Sequence, residues 1–202
     1  MKHIIRNRTQ QQQQKQQHGT TLIELLVATA IMGIIVITLG ATLVQVIKGE
    51  RRAIALQNVQ DNIRFALEIM GKELRLAQPM NPVDIAPCNS DRNYVVSGAN
   101  DIAFKSDEGD CIRYWVSNGQ LMKQVDEDTD GSVDSQGAVT SNEIFINSLT
   151  FTKLFDDVGE NPNHQPSITI NIDVSSKNLA FQDASTMRLQ TTVTQRSLDV
   201  TP

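Results

Sequence analysis

Residues 22–47 read LIELLVATAIMGIIVITLGATLVQVI, and positions 25–47 carry no charge at all. At about 1.5 Å per helical residue, those roughly 23 positions reach about 34 Å, enough to cross the hydrocarbon core of a bilayer. A secretory signal has a shorter apolar region with a small-residue cleavage site after it, and a buried helix of a soluble domain seldom goes so long without charge. The segment therefore reads as a membrane-spanning helix. Lys2, Arg6, Arg8 and Lys15 precede it with no acid in residues 1–19, which predicts a cytoplasmic amino terminus and a body on the far side. Residues 10–17 are almost all Gln and read as spacer.

Beyond the span the apolar residues change from continuous to periodic. Leu56, Val59, Ile63, Ala66, Met70, Leu74 and Ala77 advance by three or four, one stripe of a helix that Pro79 ends, with Arg64, Glu68 and Lys72 on other faces. After Pro79 the pattern alternates. Candidate strands are 93–96, 101–105, 111–116, 121–125, 144–155, 167–174 and 187–195, and Asn118-Gly119 between two of them is the strongest hairpin signal. The fold class is thus α+β, a long helix whose amphipathic half packs on an antiparallel sheet.

Glu24 breaks the apolar run two residues after it begins at Leu22. A carboxylate so close to hydrocarbon costs on the order of a few kcal/mol and marks a functional site whose partner must be named. Residues 18–24, HGTTLIE, followed by Leu25, Leu26, Val27, Ala28 and the long apolar run, resemble the processing site of type IV prepilins and type II secretion pseudopilins. In that family a membrane peptidase cuts after the Gly and usually methylates the new amino terminus, and a Glu stands at the fifth mature position. The resemblance implies cleavage between Gly19 and Thr20, with Glu24 as the assembly residue that pairs with the amino terminus of a neighbouring subunit. The family prefers Phe or Met where Thr20 stands.

Segment 58–78, with its DNIRFALE and ELRLA stretches, is similar to the same region of PilW-type minor pilins and J-type minor pseudopilins, and Ala41 stands where major pilins often carry Pro. The resemblance implies a pilin-like fold in four parts: a basic, Gln-rich leader over 1–19 that is removed, a membrane-spanning and filament-core helix over 20–47, an amphipathic helix over 48–78, and an extracytoplasmic β-rich domain over 79–202. It further implies a prepilin peptidase and other pilin or pseudopilin subunits as partners. The chain would first be stored in a bacterial inner membrane as a single-pass protein, then move to a filament at the cell surface. Type IV pilus, competence and type II secretion machines share this amino terminus.

Two motifs lie in the body. Cys88 and Cys111 are the only cysteines; a bridge outside the cytoplasm would close roughly 24 residues and stabilise by about 3 kcal/mol, and the alternative is two free buried thiols. Residues 126–134, DEDTDGSVD, match the DxDxDG opening of a calcium loop, in which Asp126, Asp128, Asp130, the Ser132 carbonyl and Asp134 would supply oxygen ligands for Ca²⁺. Position twelve of that loop is Gly137 where a Glu is expected and no helix precedes Asp126, so a carboxylate from elsewhere, Glu143 being nearest in sequence, would complete the shell. A solvated acidic turn is the other reading.

The function classes narrow accordingly. The chain carries 18 basic and 23 acidic residues, and with the leader set aside the body is more acidic still, so bulk electrostatics give it no attraction for nucleic acid. No nucleophile, paired-acid or phosphate-loop arrangement has usable spacing, Asp156, Asp157, Asp107 and Glu108 read as surface acids and His164 as loop, and no enzyme is expected. What remains is a non-enzymatic filament subunit. The alternatives are a binding module at a filament tip, or a membrane-anchored calcium-binding protein that never polymerises.

Overall fold

Helix α1 runs from Leu22 to Leu76 in the computed structural model, which describes residues 19–154, 165–177 and 186–196. The leader through His18, Phe155, Asp156, Asp157 and His164 lie outside the described residues. Thr21 caps the helix: its carbonyl accepts the Leu25 N–H at 3.2 Å and its Oγ1 accepts the Glu24 N–H at 3.4 Å. Thr21 and Glu24 are thus spaced as N-cap and third helical residue, the spacing of a capping box, and the acid sits in the first turn where the helix dipole favours negative charge.

The chain divides into two compact units, Met1–Ile47 and Lys48–Pro202. In the first, every residue from Gly19 to Ile47 is exposed, including Leu22 at 83% and Ile37 at 73%. The helix in this stretch is long and apolar enough to cross a membrane.

In the second unit, two antiparallel sheets stand where the sequence suggested one. The first has five strands in chain order, β1 (Tyr94–Val96), β2 (Asp101–Lys105), β3 (Cys111–Ser117), β4 (Gln120–Asp126) and β5 (Ser135–Ala138); the second has β6 (Ile144–Leu154), β7 (Ser167–Ser176) and β8 (Met187–Thr194). The sheets meet where the backbone N–H groups of Ile146 and Phe151 on β6 reach the carbonyls of Gly119 and Ala99, at 2.8 and 2.9 Å. Strand β5 was not foreseen because Ser-Gln-Gly-Ala is exposed throughout and has no alternation; it exists by pairing with the edge of β4. Asn118 and Gly119 both take positive φ, 52° and 73°, as a two-residue hairpin turn requires.

One apolar core serves helix and sheets together. Val59, Ile63, Ala66, Met70 and Leu74 meet Tyr94, Phe104 and Tyr114 from the first sheet and Ile168, Ile170 and Val174 from the second. The predicted stripe is therefore the buried face. Glu73 fastens helix to sheet, accepting the Tyr114 hydroxyl on one oxygen and pairing with Lys123 through the other, both at 2.6 Å. Burial first, and then this carboxylate, push the Tyr114 hydroxyl well above the ordinary tyrosine range.

The helix stops at Leu76, two residues before the expected end. Pro79 disfavours helical backbone at Gln78, whose N–H goes instead to the Lys105 carbonyl at 2.9 Å. Late carbonyls find partners in the body: Leu74 accepts the Tyr94 hydroxyl at 2.8 Å, Arg75 the Arg196 N–H at 2.8 Å, and Ala77 the Gln195 amide at 2.5 Å.

Candidate functional site

Gly19, Thr20 and Thr21 are exposed and lie just outside the helix, so the Gly19–Thr20 bond is in open backbone immediately ahead of the first helical turn. Among the described residues, no heavy atom outside its chain neighbours lies within 4 Å of where a Gly19 side chain would begin. This is the backbone state a peptidase needs, because helical or strand-paired peptide bonds must unfold before they enter an active site. Glu24 is exposed one turn into the helix. The sequence reading gave Glu24 no local reason to exist. The capped first turn supplies one, and the Thr21-x-x-Glu24 spacing that signals it was already in the sequence.

The acidic loop joins β4 to β5. Asp126, the last residue of β4, is buried at 4% exposure, while Asp128 and Asp130 are exposed. One carboxylate oxygen from each falls within 4.8 Å of the others. At that separation each pair of negative charges repels by roughly 1 to 3.5 kcal/mol between the limits of bulk water and a protein surface. Among the described residues, Lys105, Arg113, Lys123 and Arg188 pair with Asp84, Asp101, Glu73 and Asp173 and leave these three acids to one another.

The loop backbone organises the group. Asp126 Oδ2 accepts the Gly131 N–H at 3.0 Å, and Gly131 takes a φ of +88°. Asp130 Oδ1 accepts the Ser132 N–H at 2.7 Å; the Ser132 hydroxyl and then that N–H hold its carboxyl below the ordinary aspartate value. Asp126 Oδ1 is buried and has no hydrogen-bond partner. A buried carboxylate oxygen left unpaired costs roughly 1 to 3 kcal/mol or more unless something positive meets it.

The expected ligand set is only partly assembled. Asp126, Asp128 and Asp130 converge, whereas Asp134 braces the loop by accepting the Glu127 N–H at 2.8 Å, and Ser132 lies in the same turn. Gly137 is in β5 opposite Lys123, so a strand follows where an EF-hand has a helix. Glu143 does not complete the shell. Its carboxylate accepts the Asn58 amide at 3.3 Å, and the neighbouring Ser141 N–H bonds Asn62 at 3.1 Å, so this segment is tied to α1.

Cys88 and Cys111 form a disulfide, with 5.9 Å between their Cα atoms, which settles the alternative of two free thiols. Both are buried, in a small cluster with Met80 and Ala103. The bridge ties the turn-rich segment after the helix to β3.

Comparison with known proteins locates the one recognised signature at the amino terminus. The family described as the prokaryotic N-terminal methylation motif matches residues 14–40, a span that contains Gly19, Thr20, Glu24 and more than half of the apolar run. No curated protein and no solved structure matches the chain. The chain carries the methylation motif on a long helix whose later part packs against antiparallel sheets, a pilin-like α+β arrangement.

Proposed function

We infer that this protein is a pilin or pseudopilin-type subunit of minor, PilW- or J-like character, anchored in a bacterial inner membrane, cut between Gly19 and Thr20 by a prepilin peptidase, and assembled into a filament through residues 20–47. The observation that carries this reading is the coincidence of the methylation motif with a helical stretch, residues 25–47, that carries no charge and is exposed at every position. Such a surface needs lipid or other helices of its own kind, since leaving it in water costs on the order of tens of kcal/mol.

The chemistry at the start follows from the cut. Hydrolysis after Gly19 creates an ammonium at Thr20, methylated or not, and Glu24 is the carboxylate that a neighbouring subunit's ammonium meets in a low-dielectric filament core. Pairing offsets the burial of both charges and fixes the axial register. Mass spectrometry of the mature amino terminus, with and without a co-expressed prepilin peptidase, tests the route. A peptidase-dependent start at Thr20 is expected; an intact Met1, or a cut after Ala28, overturns it.

A second reading is favoured by the unpaired Asp126 Oδ1: the β4–β5 loop holds a divalent cation. Asp126, Asp128 and Asp130 offer hard, anionic oxygens at the spacing Ca²⁺ uses, with carbonyl, Asp134 and water oxygens available to complete its six to eight ligands. A bound cation would remove the mutual repulsion of the three acids and stabilise the loop. Millimolar Ca²⁺ is expected to raise the melting temperature, and Asp128→Ala to abolish the shift. An unchanged transition removes this reading.

A further inference from the structure

We propose that the Cys88–Cys111 bridge and Ile85 form a clamp that positions the Asp126–Asp130 loop for its cation; this rests on the cation reading above. The argument begins in the β3–β4 ladder, where Cys111 stands directly opposite Asp126. The bridge therefore attaches beside the one acid of the three that is buried. Its other half, Cys88, donates its N–H to the Ile85 carbonyl at 3.1 Å, closing a tight turn that carries Ile85. Ile85 lies against Gly131. A Cβ added to that glycine would fall 2.9 Å from Ile85 Cγ2, so the isoleucine occupies the only side from which a side chain could grow. Gly131 in turn gives its N–H to Asp126 Oδ2. Cys111, Cys88, Ile85, Gly131 and Asp126 thus close a ring of five links: the disulfide, the Cys88–Ile85 backbone hydrogen bond, the Ile85–Gly131 contact, the Gly131–Asp126 hydrogen bond and the Asp126–Cys111 ladder pairing.

The physical consequence is preorganisation. Three like charges push the loop open, and the free loop would have to lose that freedom on binding. A clamp that has already removed it leaves more of the interaction energy to appear as affinity. Ile85 keeps about half its surface in water, at 51% exposure, which fits a side chain placed for what it covers and not for its own burial. Other ties of this segment, such as Met80 N–H to Arg92 O at 3.0 Å and the Lys105–Asp84 pair at 2.8 Å, do not act on Gly131. Linkage makes the effect reciprocal: if the bridge tightens cation binding, the cation protects the bridge. Reduction by a dithiol moves two electrons and two protons to Cys88 and Cys111, giving two thiols and leaving the reductant as its own disulfide. Bound Ca²⁺ opposes that step.

The test is calorimetric titration of the full chain in detergent with CaCl₂, comparing the oxidised protein with Cys88→Ser/Cys111→Ser and with Ile85→Ala. Both variants are expected to bind at least about 5-fold more weakly, the lower end of ordinary coupling between sites. Ile85→Ala keeps the bridge, so it decides the matter if the double variant does not fold. Oxidised protein that takes up no Ca²⁺ overturns the cation reading itself. Oxidised protein that binds, with Ile85→Ala binding equally tightly, leaves that reading standing and overturns the clamp. As a second readout, Ca²⁺ is expected to slow reduction of the bridge by dithiothreitol at least about 5-fold, and equal rates with and without Ca²⁺ in protein that binds the ion overturn the reciprocal coupling.

Discussion

Two stretches of one helix obey opposite rules. Residues 22–47 are apolar around the helix apart from Glu24 and every one of them is exposed, whereas from Val59 onward Val59, Ile63, Ala66, Met70 and Leu74 form a stripe buried in the core, with Phe65 off that stripe and exposed. Backbone hydrogen bonding is the same in both, so propensity does not separate them. The distribution of side chains does. A stripe specifies a partner within the chain, because only one orientation buries it; a uniformly apolar cylinder specifies only a solvent or a set of like neighbours. The first stretch is long and apolar enough to cross a membrane and, on the proposed function, serves a membrane or a filament; the second belongs to the folded body.

The largest expected effect breaks this comparison at its first member. Glu24→Ala is expected to reduce filament incorporation to background while membrane insertion and the fold of the body stay intact. Sheared-filament and membrane fractions, probed side by side, measure it. The capped first turn loses little when an exposed acid is removed, whereas on the proposed assembly a neighbour's buried ammonium would lose its counter-charge, an imbalance of about 3 to 5 kcal/mol. Normal recovery in filaments would leave Glu24 as a capping residue and nothing more.

Next comes the second member. Met70 is fully buried among helix and sheet residues, and Met70→Ala is expected to destabilise the body by about 2 to 5 kcal/mol without altering insertion. An alanine at Ile37, 73% exposed, should leave the body's unfolding within about 0.5 kcal/mol. Urea unfolding in micelles, followed by the fluorescence of Trp115, checks both. Similar losses from the two variants would mean that the halves are energetically one unit.

How far the sequence revealed these features follows the same division. The span, the stripe and seven of the strands announced themselves through period, because burial on one face leaves a trace in every second or every third to fourth residue. Strand β5 left none: it is held by the ladder to β4, and its own side chains face water. Splitting the strands into two sheets depends on which edges meet, as where β6 reaches the carbonyls of Ala99 and Gly119, and pairing partners are not written in local pattern. At the acidic loop, the alternating aspartates located the cluster. That Asp126 is buried with an unpaired oxygen, and that Ile85 leans on Gly131, arises from contacts some 46 residues apart in sequence. The nearness of Glu143 in sequence was misleading for the same reason, since Asn58 and Asn62 hold that segment to the helix.

A mid-sized effect sharpens the account of how the two sheets join. Gly119 has a φ of +73°, and an added Cβ would sit 2.4 Å from the Phe145 ring. Gly119→Ala should cost about 1 to 3 kcal/mol from backbone strain and overpacking together. Pairing it with Phe145→Ala relieves the clash but not the strain. A recovery of part of the loss in the double variant, read by the same urea titration, is therefore expected, and full recovery would show that the turn itself tolerates a side chain.

The smallest effect concerns the segment that carries the proposed clamp. Lys105 donates a hydrogen bond to Asp84, and this bond first, then the attraction between the charges and a backbone bond from Asn81, hold the Asp84 carboxyl below its ordinary value against an opposing contribution from burial. Because the folded state favours the ionised form, its contribution is complete above the ordinary aspartate pKa, near 3.8, and fades as the pH falls through the lower folded value. The pair is close to the surface, so Asp84→Asn should cost less than about 1 kcal/mol at pH 7, and the cost should shrink further in high salt. Once the pH falls below the lowered folded value the two proteins should converge, because the wild-type carboxyl is then neutral as well. Unfolding curves at pH 7 and at acid pH measure the difference. A gap that persists unchanged in acid would assign the Asp84 contribution to its hydrogen bond with the Asn81 backbone and not to charge, and the segment bearing Ile85 would then owe its position to the disulfide and the turn alone.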